Sequence, residues 1–423
     1  MRSFFRSEYA ALFVGPTPAY SPHTHLHRSL LRKLPKIQSV SYGFDINREE
    51  IKQLGHEDLL TRKINLTVQE PLPGSNIDVN IEPVPVNFSF DYLPTCGLVE
   101  FLLNFNVVPG GEEAKNSFLT RHYGDQNFFL VLRSDRALDV SDLKWDDDYI
   151  GHYVLGIGNA FVTSYSVSAN VGSPAVASIS CQASNITLDE YKGDNYIPAI
   201  HLADGKYKEQ HQYSFELDVM NNEYKNNIVL PNHIDLSIDD LNIGGQILSK
   251  ENANAVGFSI DIDLSRRNLY GMGSMYPYDR KLDLPARGTL SLDIIDKNPQ
   301  TGNLNQILKV DKPYKIQLDC KDNCNASKDF NETRALITYV VDNAVLKNQS
   351  SSLSVNDYIQ TQLTFDFTVT RSNGFLISGA CLENLCDANN DSIPEDARFS
   401  SNFYVMASIT LDAWFSGTGA SRR

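Results

Sequence analysis

Two stretches of this chain repeat one another without a gap, and the repeat limits the possible architectures more than any other feature. Residues 41–63, SYGFDINREEIKQLGHEDLLTRK, fall on residues 259–281, SIDIDLSRRNLYGMGSMYPYDRK, at an offset of 218 (259 − 41). Ser41 meets Ser259, Asp45 meets Asp263, Arg48 meets Arg266, Gly55 meets Gly273, and Arg62-Lys63 meets Arg280-Lys281. Between them Phe44 meets Ile262, Ile46 meets Leu264 and Ile51 meets Leu269. A second motif recurs in the same order, residues 159–181 on 343–365, at an offset of 184 (343 − 159). There Asn159-Ala160 meets Asn343-Ala344, Ser166 meets Ser350, and Ile179 and Cys181 meet Leu363 and Phe365. Two motifs in one order indicate duplication of a whole unit. The motifs stand 111 residues apart in the first copy (159 − 48) and 77 in the second (343 − 266), so copy one carries an insertion. The stretch 96–130 is where it is expected.

The segments FVTSYSVSANV, AVASISCQA, VGFSIDIDLS, GTLSLDII, YKIQLDC and TQLTFDFTVT alternate apolar and polar residues and are punctuated by Pro, Gly, Asn and Asp. Period 2 predicts strands with one buried face. Helical candidates are few: CGLVEFLLNFNV, and REEIKQLGHEDLL, which has helical spacing at Ile51, Leu54 and Leu59 but carries Gly55 inside it. The fold class is therefore mostly β with minor helix, in tandem domains. The expected division is an arm at 1–36, a first β domain at 37–190, a connecting segment at 191–249, a second β domain at 250–375, and a closing strand region at 376–423.

A formal net charge of −15 disfavours binding nucleic acid through its phosphates, which takes a Lys/Arg surface. No run of about 18 apolar residues exists to span a membrane, and Glu8-Tyr9 interrupt the early apolar patch that a signal peptide would need. The six cysteines, Cys96, Cys181, Cys320, Cys324, Cys381 and Cys386, are spread too thinly for a disulfide scaffold, and a reducing compartment during folding is expected.

Motifs for chemistry are weak. There is no G-x-S-x-G, H-E-x-x-H or P-loop. WDDDY (145–149) clusters carboxylates but reads as a turn, and HTHLHR, with His23, His25 and His27, reads as a polar stretch. Cys320, Cys324, Cys381 and Cys386 lack knuckle spacing for zinc. Asp387, Asn389 and Asp391 repeat the 1, 3, 5 spacing of a calcium loop, yet Ser392 stands where glycine is needed and Arg398 where a bidentate Glu would be. No enzyme activity, metal or cofactor is expected.

FVGPTPAY near the start, LLRKLPKIQSVSYGFDINREEIKQLG after it, and VLGIGNAFVTSYSVSANVGSPAVASISCQA together resemble tail-tube (major tail) proteins of tailed bacteriophages. GFSIDIDLSRRNLYGMGSMYPYDRKLDLPARGTLSLDI is similar to the second-copy form of the same motif. The resemblance implies tube-type β-sandwich or rolled β domains, duplicated in one chain. It implies self-assembly as a trimeric ring with pseudo-sixfold symmetry, stacked head to tail into a tube through which DNA passes without specific binding. Neck and baseplate proteins would be partners, no membrane would be, and the location would be the virion tail after assembly in the host cytoplasm. Arg48, Arg62, Lys63, Arg266, Arg280 and Lys281 are then candidates for contacts between subunits or rings, as cations seeking carboxylates. The alternatives are a neck, tail-terminator or baseplate ring of the same fold, and a β-sandwich module binding a receptor or glycan.

Overall fold

The computed structural model describes residues 10–16, 30–44, 50–51, 60–61, 85–108, 116–118, 126–132, 153–190, 214–216, 228–230, 234–242, 245–248, 253–269, 272, 279–296, 312–321, 335–352, 360–371 and 373–379. The first half begins with β1 (Ala11–Pro16), β2 (Leu30–Lys33), β3 (Ile37–Phe44), β4 (Glu50–Ile51), β5 (Leu60–Thr61) and β6 (Val86–Tyr92). It continues through α1 (Leu98–Leu102), β7 (Val107–Val108), β8 (Gln126–Leu132), β9 (Tyr153–Asn170), β10 (Val176–Ala183), β11 (Asn185–Glu190) and β12 (Ser214–Glu216). The second half opens with β13 (Ile234–Asp240), β14 (Gly245–Leu248), β15 (Ala253–Asp263), β16 (Arg266–Leu269) and β17 (Asp279–Leu282). It closes with β18 (Ala286–Asp296), β19 (Pro313–Lys321), β20 (Ala335–Ser352), β21 (Gln360–Val369) and β22 (Phe375–Gly379).

The mostly β class follows from the alternation. Ala177, Ile179, Cys181 and Ala183 of β10 are buried while their neighbours are half-exposed, and β6 and β21 alternate likewise. In contrast, β8 (QNFFLVL) is buried on both faces and reads as a continuous apolar run. The helix α1 falls inside CGLVEFLLNFNV; it starts after Gly97, whose φ of 83° suits a residue without Cβ. The helical spacing at 48–60 does not produce a helix at its described ends. Glu50–Ile51 and Leu60–Thr61 pair antiparallel instead, because ladder bonds to a partner outweigh a weak helical preference broken by Gly55.

The two halves repeat one another at the level of hydrogen-bond register. In the first, Ser41 of β3 stands opposite Ser89 of β6, Ser89 opposite Ser180 of β10, and Ser180 opposite Ser164 of β9. In the second, Ser259 of β15 stands opposite Ser291 of β18, Ser291 opposite Thr364 of β21, and Thr364 opposite Asn348 of β20. The offsets along this row are 218 (259 − 41), 202 (291 − 89), 184 (364 − 180) and 184 (348 − 164). β9 and β20 each run for 18 residues. Each bends at the aligned Asn-Ala pair, with φ at 53° for Asn159 and 56° for Asn343, the left-handed region that Asn tolerates better than most side chains. The ladder slips at the same place in both, between Ser180 and Cys181 and between Leu346 and Asn348, which stand opposite Phe365 and Thr364 respectively.

These offsets also place the extra residues of the first half. They are split, 16 between β3 and β6 (218 − 202) and 18 between β6 and β9 (202 − 184), rather than gathered in 96–130. The segment expected to be an arm contains β1, whose Leu12, Phe13 and Val14 are buried against β8. The hairpin β1–β2 on β8 is matched by β13–β14 on β19, in the segment expected to be a connection.

Both halves join in one continuous sheet, in the order β3–β6–β10–β9–β15–β18–β21–β20. The first stretches of β9 and β20 bend away to pair with β8 and β11, and with β19 and β22, and the core lies between the layers.

Candidate assembly interface

The seam between the halves is the pairing of β9 with β15. Ser164 stands opposite Asp263, Ser166 opposite Asp261, Ser168 opposite Ser259 and Asn170 opposite Gly257. On the inner face Tyr165 meets Ile262, and Val167 meets Ile260. All four are buried, since alternation puts them under the sheet where neither strand is an edge.

A hairpin clamps this seam. After β15 the chain leaves the sheet and returns as the antiparallel pair β16–β17, the second copy of the repeated motif. This carries Arg280 to the bend of β9, where it is 6 % exposed. Its guanidinium donates to the Asn159 carbonyl oxygen at 3.1 Å and to the Ser184 Oγ at 2.7 Å. It also lies over the Phe161 ring, 4.7 Å from the centroid, with Arg266 over the same ring at 5.7 Å. Asn159 has φ in the left-handed region, and Asn127 Oδ1 accepts from the Asn159 N–H at 3.0 Å. Planar stacking and a forked donor are properties of Arg that Lys lacks. Arg280→Ala is therefore expected to lower stability by about 2 kcal/mol, the scale of buried hydrogen bonds to a charged group. Arg280→Lys should recover less than half of that loss, as read by thermal unfolding.

Among the sequence candidates, Arg266 and Arg280 come together here and Lys281 is exposed on the same hairpin. Among its contacts Arg280 has a carbonyl, a hydroxyl and a ring, which the bend of β9 and the residue after β10 supply. Arg48, Arg62, Lys63, Asp387, Asn389 and Asp391 lie outside the described residues, as do His23, His25, His27, the WDDDY stretch, Cys324, Cys381 and Cys386. Cys96 is disulfide-bonded, against the reducing expectation. Cys181 and Cys320 are free thiols buried in the core, and desolvation pushes both far above the ordinary thiol range. Among the described residues no three His, Cys, Asp or Glu side chains gather to hold a metal, and no helix is long and apolar enough to cross a membrane. A cleft beside Arg266, lined by Phe105, Phe118 and Phe161, has a volume of about 30 Å³, room for a water molecule.

The counterparts of the seam residues on the outer strands are exposed. Tyr42 and Phe44 of β3, which align with Ile260 and Ile262, are 46 % and 44 % exposed, against 0 % and 2 %. At the bend of β20, Asn343, Val345 and Thr368 correspond to Asn159, Phe161 and Ser184 by the offset of 184 (343 − 159) and are exposed. Sequence periodicity alone does not reveal this, because it marks which face of a strand is apolar and not which edge is open.

No protein-family model and no curated protein matches the chain. Among solved structures it is similar to a chain of the anti-feeding prophage baseplate, 6-fold symmetrised, at 10 % identity and a TM-score of 0.23, covering 35 % of this chain and 93 % of that one. It is also similar to the tube-terminating cap of the anti-feeding prophage, at 14 % identity and a TM-score of 0.26, covering 38 % of this chain and 97 % of that one.

Proposed function

We propose that this chain is a ring-forming structural protein of a phage-type tail, acting as the tail-tube subunit and doing no chemistry of its own. The observation that carries the reading is the β9–β15 seam, which joins two equivalent sheets edge to edge within one chain. A chain that already holds one such step, with its outer strands β3 and β20 open among the described residues, can add further copies by the same step. Rotation that closes gives a ring, and head-to-tail contacts along the axis give a tube. The sequence resemblance to tail-tube proteins supports the same reading. So does the net charge of −15, since an acidic lumen lets DNA slide without holding its phosphates.

Three chains then make a ring with pseudo-sixfold symmetry, met by neck and baseplate proteins at the tube ends, in the virion tail after assembly in the host cytoplasm. Arg266 and Arg280 act within the chain; Arg48, Arg62 and Lys63, their counterparts in the first copy or beside them, act between chains. A neck, terminator or baseplate ring would use the same seam and differ in not stacking. Negative-stain electron microscopy of the purified protein over a concentration series tests the reading. Long hollow tubes with a regular repeat are expected. Single closed rings would move the protein to the terminator, and monomers at every concentration, with binding on a glycan array, would replace the proposal by a binding module.

A further inference from the structure

We infer that the second stretch of β20 in one chain adds antiparallel to β3 of a second copy of this chain, with Ser352 opposite Ser41 and Ser350 opposite Gly43. The inference rests on the ring-subunit reading and supplies its contact at residue level. The register comes from the seam already present. Within the chain Ser168 stands opposite Ser259, and Ser166 opposite Asp261. The offset of 184 carries 168 and 166 to 352 and 350, and that of 218 carries 259 and 261 back to 41 and 43.

Three further features fit this partner. First, β15 is covered on one side by β18 and on the other by β9, whereas β3 pairs with β6 alone among the described residues. With no second neighbour among the described residues, Tyr42 and Phe44 stand exposed where Ile260 and Ile262 are buried. Second, neither edge carries the devices that keep strands from pairing. β3 (IQSVSYGF) has no charge and no proline, and neither does NQSSS at 348–352. Third, the inner-face partners become Gln349 for Phe44 and Ser351 for Tyr42, in place of Tyr165 and Val167. This joint is more polar than the internal seam, so a single chain can fold before it associates. The strand that fits β3 is thus the equivalent of β9, which a second copy of this chain presents as the second stretch of its β20, paired with β21 alone among the described residues.

The test is a paired-cysteine crosslink in the full-length protein. A Cβ at Gly43 meets nothing within 4 Å, and Ser350 is exposed, so Gly43→Cys with Ser350→Cys leaves the fold alone. Oxidation should give a covalent ladder of chains on a denaturing gel, absent in either single variant. Ser39→Cys with Ser350→Cys, displaced by four residues, should give none. In a second variant, Tyr42→Lys with Phe44→Lys should abolish assembly in sedimentation while moving Tm by at most about 2 °C, because both side chains are exposed in the single chain. Tubes or rings that form without the Gly43–Ser350 crosslink, or with the displaced one, would overturn the pairing and leave the ring reading standing. A ladder from particles that never close would uphold the pairing and remove the tube. Monomers at every concentration in the oxidised double variant would overturn the pairing itself.

Discussion

Gly288→Val is expected to destabilise the protein by about 3 kcal/mol or more, and Phe367→Ala in the same chain should recover most of that loss. Gly288 of β18 stands opposite Phe367 of β21, and a Cβ at Gly288 would collide with the tip of the phenyl ring, 2.8 Å from its Cε1 and closer still to Cζ and Cε2. Neither strand can shift, since each is paired on both sides in the continuous sheet. Overpacking of this kind costs about 1–3 kcal/mol for a methylene or two, and more where the clash is with a ring held on all sides. Phe367→Ala alone empties the same space and is expected to cost about 3–5 kcal/mol. The first copy predicts the rescue. At the equivalent row Val86 of β6 stands opposite Ala183 of β10, both buried, so the large and small partners have exchanged places. Gly288→Val with Phe367→Ala rebuilds the pair of the first copy in the second. The double variant should lose about 1–2 kcal/mol, far less than the sum of the singles. Urea unfolding of the four proteins measures it. Additive losses would mean that the two rows do not share a packing geometry.

The exchange also explains why so little of the duplication is visible as identical residues. Selection on a packed row acts on the summed volume of opposite side chains, so Val-Ala and Gly-Phe serve equally. Polar positions such as Ser41 and Ser259 face outward, carry no such coupling, and keep identical residues in the two copies. The alternating strands β10, β18, β19 and β21 were legible because one face of each is buried. β1 was not: ALFVGP is short, continuously apolar and ends in Gly-Pro, a pattern that also suits a loop or an arm. Nor was its equivalence to β13 (IDLSIDD), which shares little with it beyond the place it fills beside β8 or β19.

The clamp was half legible. The recurrence of Asn159-Ala160 at 343–344 was visible as part of the repeat, and both Asn residues adopt positive φ. What sequence could not supply was the partner of Arg280, because Asn159, Phe161 and Ser184 reach it from 96 to 121 residues away through the bend of β9. Spatial neighbours set by a bend leave no trace in local periodicity. The edges left open among the described residues were hidden for a related reason: a strand's sequence does not say whether a neighbour covers its edge, as β9 covers that of β15.

Glu100, a carboxylate of α1, is 1 % exposed. It accepts hydrogen bonds from the Tyr92 hydroxyl at 2.7 Å and the Tyr165 hydroxyl at 3.3 Å. Tyr339 of β20 belongs to the same buried group, so the cluster ties α1 to both halves of the chain. Desolvation raises the Glu100 carboxyl above its ordinary range, and the tyrosine hydroxyls, which favour the anion, offset that only in part. A folded pKa above the unfolded one means that the native state holds the proton more tightly. The stability from this group is therefore fully present below the unfolded carboxylate pKa and is lost as pH rises through the folded one. Each unit of that elevation is worth about 1.4 kcal/mol. Glu100→Gln keeps an oxygen to accept from Tyr92 and removes the ionisation. The difference in Tm between Glu100→Gln and wild type should thus be small near pH 4 and grow in favour of the variant toward pH 8. Other carboxylates cancel in that difference because both proteins share them. Glu100→Leu should instead be destabilising at both values by about 1–3 kcal/mol, since it strips buried hydroxyls of their acceptor. A difference between Glu100→Gln and wild type that does not change with pH would show that Glu100 is ionised as readily in the fold as out of it.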